Sequence, residues 1–326
     1  MQHKQWENKV ISLTPSAEEL ASGEANAATV GAAVSILQRD GIVVINDVVD
    51  PAHCDKINDL LSKESEGLAN DNSTHFNFGA HTRNISQPPP LDVEHLYSDI
   101  WANRFTNKIV SNVLGPNPVV SYVNGITALH SEDNTRQEVH ADITYAHVNY
   151  PFGLVANYYL VDTDVENGSA EVWIGSHRDT SMEDHIGVNK PAIKDECLEE
   201  RRVYMPPIQP RIRKGSVVIR DIRLWHAGMP NRSSVPRIML AIGYTPWYMN
   251  SRPKVKLPVA AKELVAQWET DTGVTYRVDF VEGDLDHKKT VFKTGFRPNN
   301  PHIVYPPGLT KEDYAYLALD DVPLVA

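Results

Sequence analysis

The residues best suited to chemistry in this chain are His140 and Asp142, in Gln137-Glu138-Val139-His140-Ala141-Asp142, and His226, in Arg223-Leu224-Trp225-His226-Ala227-Gly228. Two imidazoles and one carboxylate can occupy one face of an octahedral iron(II), leaving three adjacent positions for a chelating cosubstrate and oxygen. The spacing has a physical basis. Alternate side chains of an extended strand share a face, so His140 and Asp142 can grip one ion while Ala141 points away. The third ligand must come from elsewhere, and His226 follows a stretch that reads as another strand, Ser216-Val217-Val218-Ile219-Arg220. Taken alone, a His and an Asp two apart are unremarkable in a chain with 13 histidines, and polar residues on a strand surface would explain them. Their company decides between the readings.

Arg237 follows His226 and opens the apolar run Ile238-Met239-Leu240-Ala241-Ile242. A guanidinium is seldom buried without an anion. Its planar fork binds carboxylates bidentately, and the natural candidate is the distal carboxylate of 2-oxoglutarate, whose other end would chelate the iron. A structural salt bridge at a strand edge is the alternative. Arg232 stands in a polar turn after Asn231, where a carboxylate contact is worth little.

These side chains need a frame. Residues 27–39 read as a helix closing at Gly41. Asp50-Pro51 is an N-cap and first-turn proline, after which Cys54, Ile57, Leu60 and Leu61 recur at helical spacing. Residues 93–114 carry Ile100, Phe105, Ile109 and Val113 on one side and stop at Gly115-Pro116. The pattern then changes to short strands at 119–129, 138–146, 154–161, 171–174, 216–219 and 237–244. The fold is expected to be mainly β with bracing helices around a double-stranded β-helix (jelly roll, cupin-like) core. One domain over 1–326 is expected: a helical amino-terminal brace at 15–116, the jelly-roll core at 117–248 and a loop-rich carboxyl tail at 249–326, with helices at 263–269 and 312–319.

Composition agrees. With 41% hydrophobic residues in 326, the chain can bury a full core. No apolar run approaches the roughly 20 residues that cross a bilayer. The start is polar and lacks a signal peptide's apolar stretch, and two cysteines, Cys54 and Cys197, are too few for a disulfide scaffold, so a cytoplasmic location is expected. A net charge of -11 disfavours nucleic acid as a partner. The expected partner is a small-molecule substrate, with a homodimer left open.

The motifs in order are His140-Ala141-Asp142, Glu166-Asn167-Gly168-Ser169 running into Ile174-Gly175-Ser176-His177, Lys214-Gly215-Ser216, Trp225-His226-Ala227-Gly228-Met229-Pro230-Asn231, and Arg237. Together with the opening Leu37-Gln38-Arg39-Asp40-Gly41-Ile42-Val43-Val44-Ile45, they resemble the phytanoyl-CoA dioxygenase family of iron(II)/2-oxoglutarate-dependent oxygenases. That family's frequent P-G-S-H stands here as Ile174-Gly175-Ser176-His177 and its G-D turn as Gly215-Ser216, both changes falling in turns. The resemblance implies His140, Asp142 and His226 as metal and catalytic residues, Arg237 as the 2-oxoglutarate anchor, and Fe(II), 2-oxoglutarate and O2 as cofactor and cosubstrates. It further implies oxidation of an unactivated C–H bond of a small organic substrate, a secondary metabolite, by hydroxylation, desaturation or ring-forming oxidation with release of succinate and CO2. Asp142 argues against halogenation, since family halogenases carry a small residue there.

Other residues are softer candidates. The Gln137 amide can reach the cosubstrate or a ligand, or remain a polar surface group. Asn157 interrupts the apolar strand Leu154-Val155-Ala156-Asn157-Tyr158-Tyr159, and a buried amide needs partners, in the core or on 2-oxoglutarate. His147 and His177 could be mistaken for ligands, and His177 reads as structural. Arg83 and Arg136 read as surface arginines before substrate ligands. Two other function classes stay in view: a cupin-type metalloenzyme using another divalent metal without 2-oxoglutarate, which would have no need of Arg237, and a non-catalytic barrel, against which the intact ligand set counts. The segments that would choose the substrate, at 71–90, after Asp142 and beyond Trp247, carry no recognisable code.

Overall fold

The computed structural model describes residues 8–142, 151–187, 190–249, 255–283 and 285–289. His147, the expected helix at 312–319 and the end of the expected strand at 138–146 lie outside the described residues. Among the described residues the helices are α1 (Ala17–Ser22), α2 (Ala27–Asp40), α3 (Pro51–Ala69), α4 (Ser98–Trp101), α5 (Arg104–Leu114), α6 (Ser176–Asp179), α7 (Asp195–Tyr204) and α8 (Lys262–Thr272). The strands are β1 (Ser12–Leu13), β2 (Ile42–Ile45), β3 (Asn84–Ser86), β4 (Val119–Ala128), β5 (Leu154–Tyr159), β6 (Glu171–Val172), β7 (Val217–Asp221), β8 (His226–Ala227), β9 (Arg237–Thr245), β10 (Val255–Pro258), β11 (Thr275–Tyr276) and β12 (Val278–Val281).

Helix ends follow their caps. Asn26 caps α2 through a bond from the Thr29 amide, and Gly41 ends it in the left-handed region at φ 78°. Asp50 accepts from the Ala52 amide at the start of α3, with Pro51 in the first turn. The continuous helix expected over 93–114 is instead a 3-10 turn, α4 and α5. The break is at Asn103: its carbonyl oxygen caps α5 at Thr106, and its amide nitrogen donates to the Val48 and Asp99 carbonyls. A side chain that satisfies backbone groups this well competes with helix continuation. The amino-terminal segment expected to be a helical brace also supplies β2 and β3 to the main sheet.

The main sheet runs β1-β2-β7-β5-β9-β4-β11, with β3 on β4; two smaller sheets pair β6 with β8 and β10 with β12. Register divides the main sheet into two faces, because cross-strand partners share a face. On the outer face Val43, Ile219, Ala156, Ile242 and Val123 pack against helical residues including Leu37, Ile57, Leu61, Ile109 and Trp268 in one buried cluster. The inner face carries Ile42 opposite Arg220, Arg220 opposite Val155, Asn157 opposite Ala241, and Tyr159 opposite Met239. Here apolar packing splits into two clusters, one around Val155, Trp173, Ile222 and Trp225 and the other around Val44, Tyr159, Val218 and Met239. The site lies along this inner face.

Candidate active site

His140 and His226 are direct cross-strand neighbours. Each amide donates to the other's carbonyl at 2.9 Å, and the same bridge joins them antiparallel. Asp142 is tied to the hairpin that carries His226, its amide donating to the Ile222 carbonyl at 2.9 Å. That hairpin is itself stiff: the Arg223 guanidinium meets the Asp221 carboxylate at 2.8 and 2.7 Å, both buried, and the Trp225 amide donates to Ser176 Oγ. The sequence expectation of a strand over 138–146 reduces, among the described residues, to isolated antiparallel bridges from His140 to His226 and to Ala192. The expected strand at 171–174 stops at Val172, and Gly175 turns the chain into α6 at φ 76°.

One ligand atom from each of His140, Asp142 and His226 lies within 4.8 Å of the others. Both imidazoles are held in the same way, Nδ1 of His140 against the Glu138 carbonyl and Nδ1 of His226 against the Leu224 carbonyl, each at 2.9 Å. A carbonyl can only accept, so each Nδ1 carries the proton and each Nε2 lone pair is free for an ion. Burial pushes the His140 imidazole below its ordinary range and the His226 imidazole well below it. Burial would raise Asp142, but Arg220, His226 and His140 outweigh it and hold the carboxyl at about 2. Two neutral imidazoles and a carboxylate form a donor set for a hard or borderline divalent cation.

A cavity of about 300 Å³ opens beside these groups, lined by side chains including Phe78, Tyr122, Asn157, Arg220, Arg237 and Met239. Arg237 is 2% exposed. Its Nη2 donates to the Gly168 carbonyl at 3.0 Å, its guanidinium lies 6.0 Å over the Tyr159 ring, and its Nε is buried without a hydrogen-bond partner. Burial lowers its pKa, and no carboxylate among the described residues pairs with it. A buried guanidinium with spare donors on a cavity wall fits the carboxylate of a bound small molecule. Gly168 is required where it stands: φ is +81°, and a Cβ there would lie 2.8 Å from the Met229 carbonyl oxygen.

The other predicted residues are placed differently. Gln137 lines the cavity, but its Oε1 accepts from the Gly228 amide at 2.8 Å, so it braces the end of β8. Asn157 also lines the cavity; Oδ1 accepts from Arg220 Nε at 3.2 Å while Nδ2 is buried without a partner. His177 is buried away from the ligands, its ring on Gly41 and its Nε2 3.1 Å from the Gln38 carbonyl. Arg136 forms a two-bond ion pair with Glu171 at 2.7 and 2.8 Å, and Arg83 points at the His130 carbonyl from an exposed turn. Sequence reasoning missed Arg220, whose Nη1 lies 2.6 Å from Asp142 Oδ2, and Phe78, whose ring centre lies 4.4 Å from that of His140. Arg220 left one signal, a charge within an apolar strand. Phe78, at φ 62° in a loop, left none.

Residues 37–239 match the family described as Phytanoyl-CoA dioxygenase (PhyH). The chain belongs to this family. Its members are iron(II)/2-oxoglutarate-dependent dioxygenases, and the chain is an enzyme of that class. Solved structures agree at the level of fold. One is the epimerase SnoN in complex with Fe3+, alpha ketoglutarate and nogalamycin RO, 17% identical, with a TM-score of 0.52 over 68% of this chain and 85% of that one. Another is the non-heme alpha ketoglutarate dependent carbocyclase SnoK from nogalamycin biosynthesis, 17% identical, with a TM-score of 0.51 over 78% of this chain and 93% of that one. No described helix of this PhyH chain is long and apolar enough to cross a membrane.

Proposed function

We propose that this PhyH protein oxidises an unactivated C–H bond of a small organic molecule, a secondary metabolite, by hydroxylation, desaturation or ring formation, with turnover of 2-oxoglutarate and O2 to succinate and CO2. The observation that carries the reading is the pairing of a His140, Asp142 and His226 donor set with a buried Arg237, unpaired by any carboxylate among the described residues, on the wall of one cavity. In this reading the chain is one domain, with the main sheet and the β6-β8 sheet as the two layers of a double-stranded β-helix. Bound iron(II) supplies the oxygen chemistry.

The rest falls to the chain's own residues. His140, Asp142 and His226 hold the metal, with both imidazole protons fixed on backbone carbonyls. Arg237 takes the distal carboxylate of 2-oxoglutarate, and Gly168 aims its fork. Asn157 Nδ2 is a further donor to the cosubstrate, while Gln137 acts through Gly228 by fixing the strand of His226. Tyr159, Met239 and Val218 keep water from the cosubstrate side, and Phe78 walls the His140 side where a substrate would lie. Of the two structural neighbours, the carbocyclase is described as from nogalamycin biosynthesis and the epimerase as a complex with nogalamycin RO, which supports a secondary metabolite as substrate here.

Anaerobically purified protein supplied with iron(II), 2-oxoglutarate, oxygen and a metabolite library, followed by mass spectrometry, tests the reading. A product changed by one oxygen atom or two hydrogens, formed in step with succinate, is the expected result. Succinate formation that no library member stimulates, together with unchanged metabolites, would count against it.

A further inference from the structure

Arg220 sits on the inner face of β7, its side chain 11% exposed, beside Asp142 on the wall of the cavity. A charge on a strand buried on both faces carries a desolvation cost that must be met by specific partners. It has two. Nη1 lies 2.6 Å from Asp142 Oδ2, and Nε donates to Asn157 Oδ1 at 3.2 Å. The other carboxylate oxygen, Asp142 Oδ1, is the one turned to the imidazoles, 3.6 Å from His226 Nε2. The two oxygens of the carboxylate thus have different partners: one faces the ligand set, and the other is claimed by a guanidinium that Asn157 holds in place. Arg237, the other cation on the cavity wall, is not part of this chain of contacts.

We propose that Arg220 is a positioning residue that reserves Asp142 Oδ2 and so limits Asp142 to a single ligand oxygen. This rests on the reading of His140, Asp142 and His226 as the metal site. A carboxylate can bind a metal through one oxygen or two. An octahedral ion held by two imidazoles, one carboxylate oxygen and a two-point cosubstrate would keep one position for a diatomic gas, and a second carboxylate oxygen would fill it. Arg220 therefore protects that position without touching it, and Asn157 supports Arg220.

The test is nitric oxide binding to the anaerobic iron(II) and 2-oxoglutarate complex, with 2-oxoglutarate saturating for each protein because Asn157 Nδ2 is itself a proposed donor to it, read by electron paramagnetic resonance, in wild type, Arg220→Met, Arg220→Lys and Asn157→Ala. Iron stoichiometry is measured in parallel by titration. Each protein is expected to bind one iron. Nitric oxide affinity should fall about tenfold or more in Arg220→Met, in line with the 10- to 100-fold effects of groups that orient metal ligands, and should be largely restored in Arg220→Lys, which returns a cation to Oδ2. Asn157→Ala should fall between wild type and Arg220→Met, and it keeps the idea testable should Arg220→Met not fold. Unchanged nitric oxide affinity in Arg220→Met or, where that variant does not fold, in Asn157→Ala, or loss of iron itself with Arg220→Met, would overturn the proposal. A wild type that binds no iron would instead overturn the metal site and leave the Arg220 contacts as structural.

Discussion

The backbone amides of His140 and His226 donate to each other's carbonyls at 2.9 Å, so the separation of the two imidazoles is set by main-chain pairing and not by the side chains. A ligand side chain can then be removed without dismantling its support. His226→Ala leaves the Leu224 carbonyl without its imidazole donor, a loss of about 1 kcal/mol, while the bridge survives. We expect cooperative unfolding close to that of wild type by circular dichroism, with iron binding and succinate formation lost. Asp142→Ala should do the same, and normal turnover by either variant would remove these residues from the site.

Arg237 and Arg232 separate the proposed cosubstrate anchor from its neighbour in sequence. Arg232 is exposed, with Nε on Asn134 Oδ1 at 2.8 Å, whereas Arg237 is buried beside the cavity. Arg237→Ala should raise the Michaelis constant for 2-oxoglutarate about tenfold or more, in line with the roughly 1.5–3 kcal/mol of a hydrogen bond to a charged group. Arg232→Ala should change it little. Equal effects in steady-state kinetics, or unfolding of Arg237→Ala, would make Arg237 a structural residue.

His177 gives the fold a pH dependence independent of the metal. Burial on Gly41 lowers its imidazole from 6.5 to about 4. Below pH 6.5 the unfolded chain binds a proton there that the folded chain refuses, so stability is present at neutral pH and lost as pH falls from 6.5 towards 4. The loss from this one group between pH 7 and pH 5 is on the order of 2 kcal/mol. Urea unfolding of the metal-free protein at the two pH values should show a smaller drop for His177→Gln than for wild type. An identical drop would mean that the acid sensitivity lies elsewhere.

Substrate charge is limited by the cavity walls, where Asp142, Arg220 and Arg237 are the charged groups among the described lining residues. Arg220 is engaged by Asp142 and Arg237 is assigned to 2-oxoglutarate, which leaves no cluster for the phosphates of coenzyme A. A free acid or neutral compound should be oxidised at least about tenfold more efficiently than its CoA thioester in a competition assay. Preference for the thioester would refute this.

His140, Asp142, His226 and Arg237 stood out in the sequence because their residue types are costly without a role, a guanidinium at the head of an apolar strand and a His and an Asp two apart in an extended segment, and the structure brings all four to one cavity. The end of α2 and the start of α3 were legible through Gly41 and Asp50-Pro51, whose capping acts locally. The inner face of the sheet was not. Strands β5, β7 and β9 are buried on both sides, so they read as continuous apolar runs without the alternation that would have shown Asn157 and Arg220 sharing a face. The break at Asn103 was hidden within a continuous helical pattern: its cap on Thr106 is local, but its further bond to the Val48 carbonyl comes from a segment distant in sequence. Gln137 likewise showed only its polarity, while its bond to Gly228 depends on the pairing of distant strands.

The most direct measurement of the central claim is an anaerobic titration of the metal-free protein with iron(II), followed by 2-oxoglutarate, monitored by visible absorption. One iron per chain and a charge-transfer band that appears only on adding 2-oxoglutarate, absent in Asp142→Ala and requiring higher 2-oxoglutarate in Arg237→Ala, is the predicted result. Iron that fails to bind, or a bound iron whose spectrum 2-oxoglutarate leaves unchanged, would contradict it.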